Sequence, residues 1–225
     1  MNKNVKIAPS LLAADVTRLG DEAAEIEKTG AEYLHLDIMD GHFVPNLSFS
    51  PQIVKALRPI CNMFFDVHLM LSNPENYIKA FAEAGADLIT VHAEAAGSDK
   101  KMLELADMIH SYGIKAGISV KPKTSAETIK NVIKSYELVL VMSVEPGFGG
   151  QSYITDVNEK IVQLRKMLDM ENPSAEIEVD GGIGISTIKM PAAAGADVFV
   201  AGSAVFGADD RAAAVSALRK IAEES

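Results

Sequence analysis

Short apolar runs alternate with longer amphipathic stretches from one end of the chain to the other. The runs are rich in Val, Ile and Leu, and they predict strands over Lys6–Ser10, Tyr33–Ile38, Met63–Leu69, Leu88–His92, Ile114–Val120, Leu138–Ser143, Glu176–Asp180 and Val198–Ala201. Between them, segments such as 21–28 place apolar and charged residues at helical spacing, which predicts helices with one buried face. The helix ends repeat a phrase: Thr29-Gly30-Ala31-Glu32, Ala84-Gly85-Ala86-Asp87 and Ala194-Gly195-Ala196-Asp197. Each puts a glycine where a left-handed helix stop is wanted, just ahead of the next strand. Nearly continuous apolar strands suit a parallel sheet covered by helices.

Eight β-α units in 225 residues predict a closed (β/α)₈ barrel, a TIM barrel, as one domain over 1–225. No Pro/Gly/Ser-rich linker or low-complexity tract divides the chain. An open doubly wound sheet is the alternative. Its Gly-x-Gly-x-x-Gly turn after the first strand is missing, because Ala8-Pro9-Ser10-Leu11-Leu12 stands there.

Composition narrows the function classes. The formal charge of −10 leaves no basic excess to neutralise nucleic-acid phosphates, although a small anion needs only a local cluster of donors. Cys61 is the single cysteine, so no internal disulfide is expected, as in a reducing cytoplasm. The opening residues carry no apolar signal core, and no stretch approaches the ~20 apolar residues of a membrane span. The expectation is a soluble cytoplasmic protein without a nucleic-acid or membrane partner.

In a barrel, polar residues at the carboxyl ends of strands read as functional. His35 and Asp37 share one face of the second strand, as do Asp66 and His68 on the third. Leu34, Leu36, Ile38, Val67 and Leu69 occupy the other face. On the seventh strand Glu176, Glu178 and Asp180 share a face, and parity alone does not separate them; Asp180 stands at the tip. Buried imidazoles and carboxylates are costly unless paired or bound to a metal. His35, Asp37, His68 and Asp180 therefore form a candidate site for Zn²⁺, with Fe²⁺, Mn²⁺ or Co²⁺ as alternatives. Taken singly, each is as readily a hydrogen-bonded residue lining the barrel.

Asp37 and Asp180 on strands from different sides of the ring suit removal of a proton on one face of a ligand and its return on the other. That is what epimerising a carbon beside a carbonyl requires. Zinc lowers the pKa of bound water from 15.7 to about 7, worth of order 12 kcal/mol, whereas one oxyanion hydrogen bond supplies about 3–4 kcal/mol. A carboxylate is too weak a base to act without help on the scale that the metal supplies.

Three neighbouring loops are rich in glycine: Pro146-Gly147-Phe148-Gly149-Gly150-Gln151, Gly181-Gly182 and Gly202-Ser203. Glycine lets backbone N–H groups approach an anion closely, and barrels commonly bind phosphate beside the seventh and eighth strands. Tight turns alone would also account for any one pair. Phe148 and Tyr153 give the first loop the apolar mass of a lid. Ser10 is a candidate substrate donor or a turn cap, and Met39, Met70 and Met142 an apolar lining or core filling. His42 and His92 lie near the rim as weaker ligand candidates. His110 reads as an ordinary surface or packing residue and Lys121-Pro122-Lys123 as a solvated loop.

Together these phrases resemble the ribulose-phosphate 3-epimerase family over essentially the whole chain. The matching motifs are Ala8 to Asp15, His35 through Asp37 to Asn46, Asp66-Val67-His68-Leu69-Met70, Val144 to Gln151, Glu178 to Ile183 and Ala201-Gly202-Ser203-Ala204. The resemblance implies a metal-dependent isomerase of the pentose phosphate pathway, acting on a small sugar phosphate. It implies His35, Asp37, His68 and Asp180 as metal ligands and Asp37 and Asp180 as the acid/base pair. It also implies substrate contacts from Ser10, His68, Gly147, Phe148, Gly149, Gly150, Asp180, Gly181, Gly182, Gly202 and Ser203, and assembly into a homo-oligomer. D-allulose-6-phosphate 3-epimerase, with the same site, and a sugar-phosphate lyase on the same barrel remain as alternatives. The lyase should carry a lysine at a strand tip.

Overall fold

The computed structural model describes residues 5–225, and its strands form one parallel eight-stranded sheet. The strands are β1 (Lys6–Pro9), β2 (Tyr33–Met39), β3 (Phe64–Met70), β4 (Leu88–His92), β5 (Lys115–Val120), β6 (Leu138–Met142), β7 (Glu176–Asp180) and β8 (Val198–Ala201). Each lies within a residue of the stretch expected from the apolar pattern. The order β1-β8-β7-β6-β5-β4-β3-β2 returns to its start through a parallel bridge between Ser10 and His35, which closes the barrel. The open-sheet alternative is thereby excluded.

The connections carry α1 (Leu19–Glu27), α2 (Pro51–Leu57), α3 (Ile78–Ala84), α4 (Ala93–Ala96), α5 (Asp99–His110), α6 (Val157–Glu171), α7 (Lys189–Ala194), α8 (Ser203–Phe206) and α9 (Arg211–Glu223). One unit departs from the expected pattern. Between β5 and β6 the chain makes two 3₁₀ turns, Ala126–Ile129 and Ile133–Ser135, instead of an α-helix. The Thr, Ile and Val residues of this segment restrict side-chain rotamers in a helix and lower its propensity. Two of the three expected glycine stops are present: Gly85 and Gly195 end α3 and α7 in the left-handed conformation at φ 106° and 108°, whereas α1 ends at Lys28 in a right-handed conformation, two residues before Gly30 at φ 78°.

Two apolar regions follow from strand alternation. Leu34, Leu36, Ile38, Val67 and Leu69 point outward and join the large core shared with the helices. Ala8, Leu138, Leu140, Met142, Val198 and Val200 point inward and fill one side of the barrel. The other side of the interior is polar and layered. At the bottom, Lys6 pairs with Glu176 at 2.5 Å, and the Tyr33 hydroxyl donates to Glu176 at 2.7 Å. One layer up stand His35, Asp66 and Glu178, all fully buried. Asp37, His68 and Asp180 lie at the top. Among the described residues no helix is long and apolar enough to cross a membrane.

Candidate active site

The register of the sheet sets the height of each polar side chain. Asp37 on β2 is level with His68 on β3, and Asp180 ends β7 beside Met142 and Val200. One ligand atom from each of His35, Asp37, His68 and Asp180 falls within 4.8 Å of all the others. Asp37 Oδ1 stands 3.3 Å from both His35 Nε2 and His68 Nδ1, and Asp180 Oδ2 is 4.0 Å from His68 Nδ1. The second oxygen of Asp37 accepts a 2.6 Å hydrogen bond from Ser10 Oγ.

The donor set fits a divalent metal. Ligands ~2.1 Å from a tetrahedral ion lie about 3.4 Å from one another, close to the two 3.3 Å separations around Asp37. His35 Nδ1 is committed to Asp66 at 2.5 Å, leaving Nε2 to face Asp37. A carboxylate behind the far nitrogen is the usual orienting partner of a metal-bound histidine. His35, Asp66 and Glu178 also come together closely as a lower group, but with His35 Nδ1 held by Asp66 that group serves as support.

The two aspartates have opposite acidities. Burial alone would raise Asp37, but the imidazoles of His35 and His68 more than offset it and hold the carboxyl well below the usual range. Burial, reinforced by the negative charge of Asp37, pushes Asp180 up to about 6. Burial and the charge of Asp66 push Glu178 well above the ordinary carboxylate range.

Above this floor opens a cavity of about 660 Å³. Ser10, Asp37 and Asp180 line it from below, with Met39, Met70 and Met142 as an apolar shelf. Its opposite wall is Gly147, Phe148, Gly149 and Gly150 after β6, Gly181 and Gly182 after β7, and Gly202 and Ser203 after β8. His35 and His68 do not line the cavity; both are fully covered. Gly181 and Gly182 have φ of 124° and 65°, and a Cβ on Gly182 would stand 2.4 Å from the Tyr153 backbone nitrogen. Phe148 is 54% exposed on its loop, which Gln151 braces by donating to the carbonyls of Glu145 and Phe148. Asn46 donates across to the Gly147 carbonyl at 2.9 Å, tying the β2 loop to the β6 loop.

Comparison with known proteins agrees with this geometry. The pattern of the ribulose-phosphate 3 epimerase family matches residues 6–206. The chain belongs to that family. It is 46% identical over 216 residues to a ribulose-phosphate 3-epimerase of Bacillus subtilis (strain 168), covering 96% of this chain and 98% of the relative. It is 50% identical over 214 residues to one of Mycobacterium tuberculosis (strain ATCC 25618 / H37Rv), covering 95% and 91%. Among solved structures, KGPDC from Streptococcus mutans superposes with a TM-score of 0.72 at 14% identity, over 99% of both chains, a likeness of fold.

His42 is exposed and bonded to the Asp40 carbonyl, away from the cluster. His110 pairs with Glu137 at the surface, as expected. The 121–123 loop is anchored rather than free, since Lys160 Nζ donates to the carbonyls of Lys121 and Pro122. Sequence reasoning gave no role to Asp66, Glu178 or Glu94. The signal for the first two was present, because each lies two residues before His68 or Asp180 on the same strand face.

Proposed function

We propose that the protein interconverts D-ribulose 5-phosphate and D-xylulose 5-phosphate by inverting carbon 3, with Asp37 and Asp180 as the acid/base pair. The observation that carries this reading is geometric: two carboxylates, Asp37 and Asp180, line one cavity floor within the four-residue cluster, and in the metal-free protein their acidities are shifted in opposite directions. Neighbouring titratable groups whose environments drive their pKa values apart are suited to give and take protons at one centre. Ionised Asp37 takes the C3 proton on its side, and Asp180 delivers a proton to the other side; the reverse reaction exchanges the roles. Ser10, donating to Asp37 Oδ2, keeps that carboxylate aimed.

His35, Asp37, His68 and Asp180 would hold the divalent ion, Zn²⁺ first, with Fe²⁺, Mn²⁺ or Co²⁺ able to use the same donors. When bound, it polarises the substrate carbonyl and stabilises the negative charge that develops as the C3 proton leaves. His68 acts on substrate from below the cavity floor, through Asp37 and Asp180.

Backbone N–H groups of Gly181, Gly182, Gly202 and Ser203 receive the phosphate, and the loop with Gly147, Phe148, Gly149 and Gly150 covers the sugar. No lysine or arginine is among the described residues lining the cavity, which favours recognition by backbone dipoles and disfavours the lyase chemistry that would use a strand-tip lysine. In the same reading the protein is a cytoplasmic homo-oligomer. Its lone cysteine is buried, and Val16, Leu47 and Ile185 leave apolar surface exposed.

The test is a parallel assay on D-ribulose 5-phosphate and D-allulose 6-phosphate, before and after removal of metal with a chelator and its restoration. Faster turnover of the pentose, lost on chelation and restored by the ion, is the expected result. Preference for the hexose phosphate would move the substrate assignment, and inactivity on both with metal restored would overturn the reading.

A further inference from the structure

The imidazole of His92, the last residue of β4, is fully buried, and its Nε2 stands 2.9 Å from Nε2 of His68. Its other nitrogen, Nδ1, is 3.1 Å from Glu94 Oε2. The remaining oxygen, Glu94 Oε1, accepts the Lys121 backbone N–H at 2.8 Å and the Thr124 hydroxyl. The relay is thus anchored at its far end, through Glu94, on the loop after β5. Phe43 packs on the His92 ring with centroids 4.7 Å apart, and Lys121 Nζ lies 4.0 Å from the centroid on Phe43.

Counting donors fixes a direction. A carboxylate only accepts, so His92 Nδ1 carries the proton that bonds Glu94. In a neutral His92 the opposite nitrogen is then a lone pair, and it accepts from His68 Nε2–H. A neutral His68 protonated on Nε2 has its lone pair on Nδ1, the atom that faces Asp37 at 3.3 Å and Asp180 at 4.0 Å; without a metal between them that nitrogen instead carries a proton toward Asp37.

We propose that His92 and Glu94 are positioning residues that set the tautomer of His68, so that Nδ1 presents its lone pair to the metal position between Asp37 and Asp180. This rests on the metal reading above. It gives His68 the same kind of support that Asp66 gives His35, but through a relay of two residues and with the opposite ring nitrogen facing the site. A merely structural link between the β4 and β5 loops would need neither an imidazole at 92 nor a fixed order of donors.

The experiment measures Zn²⁺ affinity by competition with a chromophoric chelator in the full-length chain and in His92→Phe, His92→Gln and Glu94→Gln. It is paired with ¹⁵N NMR of the His68 ring in the zinc-loaded protein. Loss of the relay should weaken Zn²⁺ binding roughly 10- to 100-fold in His92→Phe. His92→Gln, whose amide can accept from His68 and donate to Glu94, should restore most of that loss, and His68 should be protonated on Nε2. Unchanged affinity in His92→Phe, or a His68 that binds Zn²⁺ through Nε2, would overturn the proposal. Should His92→Phe fail to fold, the ring tautomer of His68 in the unmodified zinc-loaded chain decides the proposal. A chain that takes up no Zn²⁺ would instead sink the metal reading and this proposal together.

Discussion

The cavity floor presents the two carboxylates of β2 and β7, with the imidazoles of β2 and β3 covered just beneath them, whereas the wall made by the loops after β6, β7 and β8 is largely glycine backbone. The floor is buried and cross-braced, with Ser10 and Asp66 each tied to a group of the cluster by hydrogen bonds of 2.5 to 2.6 Å. The wall is more open, and its φ values of 124° and 65° at Gly181 and Gly182 are ones that residues with a Cβ rarely adopt. The difference separates two tasks. Proton transfer needs groups of particular acidity at fixed positions, which rigid strands supply. Anion binding needs N–H dipoles and close approach, which glycine loops supply.

The comparison breaks most severely at the floor. Asp37→Asn or Asp180→Asn should lower kcat by about 10⁴-fold, near the upper limit for removing one acid/base group, while circular dichroism still reports a folded barrel. Near-unmodified turnover in either variant would remove that residue from proton transfer. At the wall, Gly182→Ala should act differently. Its Cβ meets the Tyr153 backbone 2.4 Å away in a left-handed conformation, so strain of about 1–3 kcal/mol and displacement of the β6 loop should follow. We expect KM for the phosphorylated substrate to rise at least about tenfold with a smaller change in kcat, at that order of strain. An equal fall in kcat with KM unchanged would contradict the division of tasks.

Acidity sharpens the contrast further. Asp180 must lose its proton to bind a metal, so uptake should fall as pH is lowered through about 6, which competition titrations across pH 5 to 8 would show. The stability of the metal-free protein should respond in the opposite sense. With a folded pKa near 6 against an ordinary value of 3.8, protonated Asp180 contributes stability that is full below that lower value and lost as pH rises through about 6. Thermal melts of metal-free and metal-loaded protein should therefore converge on acidification. The smallest effect belongs to Gln151→Ala. Removing its bonds to the carbonyls of Glu145 and Phe148 should cost the ordered loop about 1 kcal/mol, read as a KM a few times higher.

Much of the fold was legible because parallel barrel strands are apolar on their helix-facing side, and the phrases ending in Gly85 and Gly195 mark where helices must stop. The 3₁₀ turns between β5 and β6 were not legible, since a short amphipathic stretch reads as helix until its packing is known. The four-residue cluster was legible because alternation within β2 and β3 puts His35, Asp37 and His68 on inward faces, and Asp180 is marked by its place at a strand tip. His92 was read only as a weak ligand candidate and lies outside the cluster, but its contact with His68, and Glu94 behind it, were passed over. A histidine near the rim is ambiguous until the register sets His68 against Thr90 and His92 against Ser119 on adjoining strands.

By itself the sequence determined which residue types stand at strand ends, which face of each strand is inward and where glycine leaves room for backbone, because these are local and periodic properties of the chain. Only the tertiary structure decided that Asp37 is held acidic while Asp180 is pushed up to about 6, that Asp66 rather than Glu178 holds His35, and that a relay through His92 and Glu94 stands behind His68. Acidity and tautomer depend on burial and on charges brought within a few ångströms by strands far apart in the chain.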